Sequence, residues 1–209
     1  MPAPDLAELI DARQAALVTQ ECQNGVLGDH AVFPVLAEIA RKEMIPNAAR
    51  LAKAARAAGV PVVHCVAVKR PDGRGSNTNA RLFLAARKAG TRLIDGSDAT
   101  QVIPEIGVEE SDIVLRRLHG LGPMGGTDLD AVLRNLDVRT IIGVGVSVNV
   151  GMMSFVMDAV NAGYQFVLPR DAVAGVPPTY ADAVIENTLS LLTTVVQTED
   201  LLAVWDKAR

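Results

Sequence analysis

The sequence predicts an α/β protein, a three-layer αβα arrangement around a six-stranded, mainly parallel sheet. Three observations predict it. Short β-rich runs alternate with helical stretches along the chain. Each run is almost continuously apolar, as strands buried on both faces are. The stretches between them carry helix caps and stop signals. At 209 residues, 49% of them hydrophobic, the chain can bury a core of its own, and residues 1–209 are expected to form a single domain.

The strand candidates are AALVT (15–19), VPVVHCV (60–66), DIVL (112–115), TIIGVG (140–145), YQFVL (164–168) and TTVVQ (193–197). After the first, Asn47 follows Pro46 and reads as the cap of a helix whose inner face is Ala48, Leu51, Ala55 and Ala58, stopped by Gly59. A short amphipathic helix over 128–135 turns Leu129, Val132 and Leu133 inward. Residues 149–162 read as a helix closed by Gly163, and 179–192 as another. The last helix starts at Thr198, with Glu199 and Asp200 in its first turn. The polar, glycine-containing segment 69–79 (KRPDGRGSNTN) directly follows the second strand. Ligands of open parallel sheets bind beyond the carboxyl ends of the strands, so this segment reads as a lid or as a solvated loop.

Composition removes several function classes. A formal net charge of −4 leaves no basic footprint for nucleic acid or an anionic membrane surface. Two cysteines, Cys22 and Cys65, are too few for a disulfide framework and fit a reducing, cytoplasmic setting. The uncharged run 140–157 approaches the length of a membrane span, but Gly143, Gly145, Ser147, Asn149 and Gly151 interrupt it. A buried strand, a turn and a buried helix explain it better. Asp5, Glu8 and Asp11 stand where a secretory signal would be basic and then apolar.

Three motifs nearly match and fail. Gly143-Val-Gly145 has the outline of a dinucleotide fingerprint, but Val148 replaces the third glycine. Residues 120–127, GLGPMGGT, resemble a phosphate loop with Gly126 where its lysine must stand. Gly145-Val-Ser147-Val-Asn149 resembles a nucleophile elbow, yet His30, His64 and His119 all precede the serine, against the chain order of that triad. The histidines show no metal-ligand spacing. No metal and no cofactor is expected.

Several segments together resemble the isochorismatase-like family, often called cysteine hydrolases. In ALVTQECQNGVLG, Glu21 stands where that family's first strand ends in Asp, and Gln23-Asn24 are retained. DIVLRRLHGLGPMGGTDLD matches the strand that leads to a catalytic Lys and then Gly-Thr-x-Leu. Arg117 takes the Lys position counted from the strand, and Arg116 remains open when counted back from Gly126-Thr127. Gly145-Val146-Ser147-Val148-Asn149-Val150-Gly151 stands where the family has Gly-Val-x-Thr-Asn-x-Cys. FVMDAVNAGYQFVLPRDAVAG matches the following helix and strand, including Asp158, Gly163-Tyr164 and Asp171-Ala172.

The resemblance implies that the Asp–Lys–Cys triad appears here as Glu21, Arg117 and Gly151. Glycine offers no nucleophile, and isochorismatases proper also carry glycine there. Their reaction, as the resemblance implies it, is vinyl-ether hydrolysis by proton donation from the carboxylic acid. On that reading Glu21 is the acid or base and Arg117 a carboxylate clamp. Gln23, Asn24, Arg116, His119, Ser147 and Asn149 are the expected substrate-binding residues. The backbone at Gly151, at a helix start, could favour an anion. One conflict is physical: an arginine beside Glu21 favours its ionised form and makes it a poor acid. Neither cysteine is a ready substitute nucleophile, because Cys22 and Cys65 are each sequence neighbours of a polar partner whose side chain diverges in a strand.

The expected function is hydrolysis of a small, anionic metabolite without a covalent cysteine intermediate. The alternative is a catalytically silent binding protein on the same fold. A closed bidentate Glu21–Arg117 pair with no cavity above Gly151 would favour the alternative, and an open pocket faced by both would favour an enzyme. Because 3% of residues are aromatic and none falls in a site segment, the pocket is expected to be small, aliphatic-walled and selective by charge. A homo-oligomer is expected from the resemblance.

Overall fold

The apolar runs pair side by side. In the computed structural model, which describes residues 5–207, they form β1 (Ala15–Gln20), β2 (Val62–Ala67), β3 (Ile113–Arg117), β4 (Thr140–Val146) and β5 (Gln165–Pro169), then a short β6 (Val173–Ala174) and β7 (Thr194–Val196). Residues 1–4 and 208–209 of the expected domain lie outside the described residues. The sheet order is β3-β2-β1-β4-β5-β7, every paired ladder is parallel, and β6 pairs with β4. The two-residue β6 was not expected; it is too short to show a periodic signal. From β1 the chain winds outward through β2 and β3, then returns to β4 on the other side. The switch between β1 and β4 is where such sheets open a ligand crevice.

The helices are α1 (Leu6–Leu9), α2 (Asn24–Leu27), α3 (Pro34–Lys42), α4 (Met44–Ala57), α5 (Arg81–Lys88), α6 (Leu129–Asn135), α7 (Met153–Asn161), α8 (Pro178–Asn187) and α9 (Thr198–Lys207). β1 shows how the three layers form. Ala15 and Leu17 point into a cluster with Ala48, Leu51, Ala55, Leu201 and Trp205 of α4 and α9. Ala16 and Val18 point the other way, into Leu129, Leu133, Phe155, Val156 and Ile185 of α6, α7 and α8. This period-2 alternation buries both faces of the strand at once.

Four expectations need correction. Asn47 is not a cap: α4 starts at Met44, since Pro46 tolerates the first turn, where its missing N–H is no loss. Its Nδ2 instead donates to the backbone oxygen and Oδ2 of Asp171, both at 3.1 Å. The helix expected over 149–162 begins as a π-helical turn, Val148–Met152, before α7. The helix expected over 179–192 ends at Asn187, where Thr188 leaves helical geometry (φ −125°), and a 3-10 turn follows over Leu189–Leu191. Finally, β3 and β7 lie at the sheet edges and are only partly buried, with Val114 and Arg116 of β3 exposed. The uncharged run 140–157 is strand, turn and helix, and among the described residues no helix is long and apolar enough to cross a membrane.

Two features tie the sheet to the crevice. His64, fully buried on β2, joins Thr19 Oγ1 at 2.9 Å and Asp112 Oδ2 at 3.3 Å. Asp112 in turn accepts from Arg56 Nη2 at 2.7 Å, so β1, β2, β3 and α4 share one polar chain. Gly145 brings β4 close to β1: its φ is +117°, and a Cβ there would lie 2.2 Å from the Gln20 carbonyl oxygen. Gly145→Ala should therefore lower stability by at least about 2 kcal/mol in urea unfolding, because strain and overlap act together.

Candidate active site

Glu21 directly follows β1 with a left-handed backbone, φ +55°, unusual for a residue with a side chain. Its carboxylate meets Arg117, which ends β3. Arg117 Nη2 donates to Glu21 Oε1, and Nη1 donates to the carbonyls of His119, at 2.9 Å, and Gly120. The pair is a single contact, not a closed fork. The Arg117 side chain is 5% exposed and that of Glu21 23%. Burial pushes the Glu21 carboxyl above the usual carboxylate range, against the opposing pull of Arg117.

A cavity of about 450 Å³ opens above this pair, lined at its floor by Glu21, Arg117, Ser147, Asn149 and Gly151 and at one side by His119. Six of the nine expected site residues thus share one space. The other three do not line it. Gln23 is fully buried and clamps backbone: Oε1 accepts from Ala67 N at 2.6 Å, and Nε2 donates to the carbonyls of Ala67 and Ala99. Asn24 Nδ2 holds Asp98 at 3.2 Å in a separate depression. Arg116 points from the other side of β3, exposed, and pairs with Asp95 at 3.1 Å. Neighbours in a strand diverge, so only Arg117 reaches Glu21.

The β4–α7 junction is tightly bonded. The N–H groups of Val150 and Met152 donate to the Ser147 carbonyl at 3.1 and 2.9 Å. Asn149 Nδ2 donates to the Val176 carbonyl at 3.2 Å, which fixes the chain after β6 over the site. A Cβ at Gly151 would lie 3.1 Å from Gln20 Nε2 and 3.4 Å from the Leu121 carbonyl, so even a small side chain would crowd the Gln20 amide.

Several residues at or beside the cavity were not anticipated. Gln20 is fully buried; its Nε2 donates to the Leu121 carbonyl at 3.2 Å and to Glu21 Oε1 at 3.4 Å, while its Oε1 has no hydrogen-bond partner. Segment 69–79 supplies Lys69, Ser76 and Asn77 to the cavity, and Asn77 Oδ1 accepts from Gly120 N at 2.7 Å. The pocket is not free of aromatics: Phe33, just before α3, and Phe83, on α5, line it. The apolar spacing of Leu82, Phe83 and Ala86 in RLFLAARK was the signal that could have located this wall.

Residues 15–200 match the family model of the isochorismatase domain. The chain belongs to the isochorismatase family. This is a family of hydrolases, and the fold agrees. A cysteine hydrolase from Pseudomonas syringae pv. phaseolicola 1448A superposes with a TM-score of 0.84, covering 100% of both chains at 21% identity. Ureidoacrylate amidohydrolase RutB of Variovorax paradoxus is 30% identical over 188 residues, spanning 82% of this chain and 73% of RutB. The isochorismatase family protein YwoC of Bacillus subtilis is 33% identical over 96 residues, which is 46% of this chain and 48% of YwoC.

Among the described residues no three His, Cys, Asp or Glu side chains converge as a metal group would need. Cys22 and Cys65 are buried, on opposite faces of the sheet, and neither lines the cavity. Burial pushes each thiol up to about 12. A thiol held that high is almost wholly protonated near pH 7 and a poor nucleophile. Iodoacetamide at pH 7 should leave both unlabelled in the native protein and label both after denaturation, read by intact mass.

Proposed function

We propose that this isochorismatase-family chain hydrolyses a small anionic metabolite with water as nucleophile and without a covalent cysteine intermediate. The observation that carries the reading is the open cavity above Gly151, faced by a singly bonded Glu21–Arg117 pair. A closed fork and a filled site would have favoured a silent binding protein. The relation to an amidohydrolase such as RutB supports a C–N or C–O bond cleaved by water.

Glu21 is the proton-transfer group. Arg117 holds its carboxylate in place and pulls it toward the ionised form. Burial acts in the opposite sense and raises the affinity of the same carboxylate for a proton. The two together give a base that accepts a proton from attacking water and returns it to the leaving group. The conflict between arginine and acid is removed if the base step comes first. Arg117, with its donors on Glu21 and two carbonyls, acts mainly as a positioning group, and the clamp expected of it falls to another cation. Gly151 leaves the room above the pair that water and substrate need, and the buried Cys22 and Cys65 take no part.

Purified protein assayed against isochorismate and a panel of small amides tests this. Glu21→Gln should lower kcat by about 10²–10⁴-fold, the usual weight of one general acid–base group. Cys22→Ala and Cys65→Ala should each retain turnover. Turnover unchanged in Glu21→Gln, or abolished in a folded cysteine variant, would overturn the mechanism, and no turnover on any of the panel would return the silent binding reading.

A further inference from the structure

The cavity lining has two opposite characters. One part is polar. Lys69 lines it and forms no ion pair among the described residues, and the Ser76 hydroxyl is buried there with no hydrogen-bond partner. Arg117, the other cation of the floor, has already given its donors to Glu21, His119 and Gly120. Burial holds the Lys69 ammonium below its usual range, and Arg87 and Arg92, outside the lining, add to the effect. An anion there would relieve both the repulsion and the unpaired hydroxyl.

The other part is apolar and partly exposed. Phe33 and Val35 face it from the start of α3, and Leu82, Phe83 and Ala86 face it from α5. α5 contains no buried residue, although its apolar side is turned toward the protein. Val35 is 57% exposed and Leu82 37%. The apolar stripe of an amphipathic helix normally lies on a core; here Ala86 reaches the core, while Leu82, Phe83 and Ala86 also line the cavity. About 450 Å³ falls within the usual range of sites for ligands larger than a bare short-chain acid.

We propose that the site takes an amphipathic anion: a carboxylate head between Lys69 and Ser76, carrying an aliphatic or aryl body that covers Phe33, Val35, Leu82 and Phe83. What becomes of that ligand at Glu21 rests on the hydrolase reading above; its binding does not. The polar part selects charge, and the wall between α3 and α5 selects length.

Calorimetric titration of the full chain with linear carboxylates from acetate to octanoate, 3-phenylpropionate and the matching primary amides tests the proposal. Each added methylene should tighten binding about three- to fourfold until the wall is covered. Carboxylates should bind more tightly than their amides. Phe83→Ala should flatten the dependence on chain length, and Lys69→Gln should remove the preference for carboxylate while keeping that dependence. Affinity that does not rise with chain length, or a dependence untouched by Phe83→Ala, would overturn it. So would a self-associating chain that binds none of the series and is dissociated by Leu82→Asp, since a second copy would then be the occupant. Binding is read without turnover: loss of the hydrolase reading leaves these isotherms standing, while a flat series beside intact turnover overturns the substrate class alone.

Discussion

The Glu21–Arg117 contact is the interaction on which the crevice depends. It joins the end of β1 to the end of β3 across β2, at the opposite end of that edge strand from the Asp112–Arg56 contact. Arg117 is a buried cation, and removing the partner of such a group costs about 3–5 kcal/mol. Its other donors draw the His119 and Gly120 carbonyls around the guanidinium, so the chain after β3 is shaped by the same group. Gly120 then donates to Asn77, which ties segment 69–79 to this rim. Asn77 therefore lines the cavity through bonds that trace back to one ion pair. The left-handed backbone of Glu21 is held within this network, where strain can be kept because the surroundings fix the geometry.

The chemistry follows from two opposed effects on one carboxylate. The arginine favours charge, and burial disfavours it. Burial is the larger of the two here, so Glu21 keeps an unusual affinity for protons while remaining beside a cation. Gln20 adds to this setting: its amide donates weakly to Glu21 and fills the space beside Gly151. A Cβ at 151 would press on the Gln20 amide and on the Val146 carbonyl, so a side chain there requires its neighbours to give by a few tenths of an ångström.

The fold was largely legible, because strands buried on both faces must be apolar throughout. Thr140–Val146 and Ala15–Gln20 leave no other reading once glycine and charge delimit them. Edge strand β3 was read from the same apolar signal over 112–115, which located the strand but not its exposed side. What was lost lies where tertiary contacts decide. Asn47 has the chemistry of a cap but spends its amide on Asp171, and Gln23, retained from the family pattern, spends its own on the backbone of β2. Arg116 and Arg117 could not be ordered by counting, and the alternation of one edge strand ordered them. Gln20 escaped notice because nothing local distinguishes a buried amide from a surface one. The aromatic wall was missed because Phe33 and Phe83 are remote from every motif and converge only when α3 and α5 fold over the sheet.

The most direct measurement is the titration of Glu21 itself. Protein labelled with ¹³C at glutamate side-chain carboxyls, with the Glu21→Gln spectrum to assign the resonance, gives its midpoint in the absence of any substrate. The account predicts a midpoint above the ordinary glutamate value of 4.5, because burial outweighs Arg117. A midpoint at or below that value would show the ion pair to be dominant, and would contradict Glu21 as the proton-transfer group of this site.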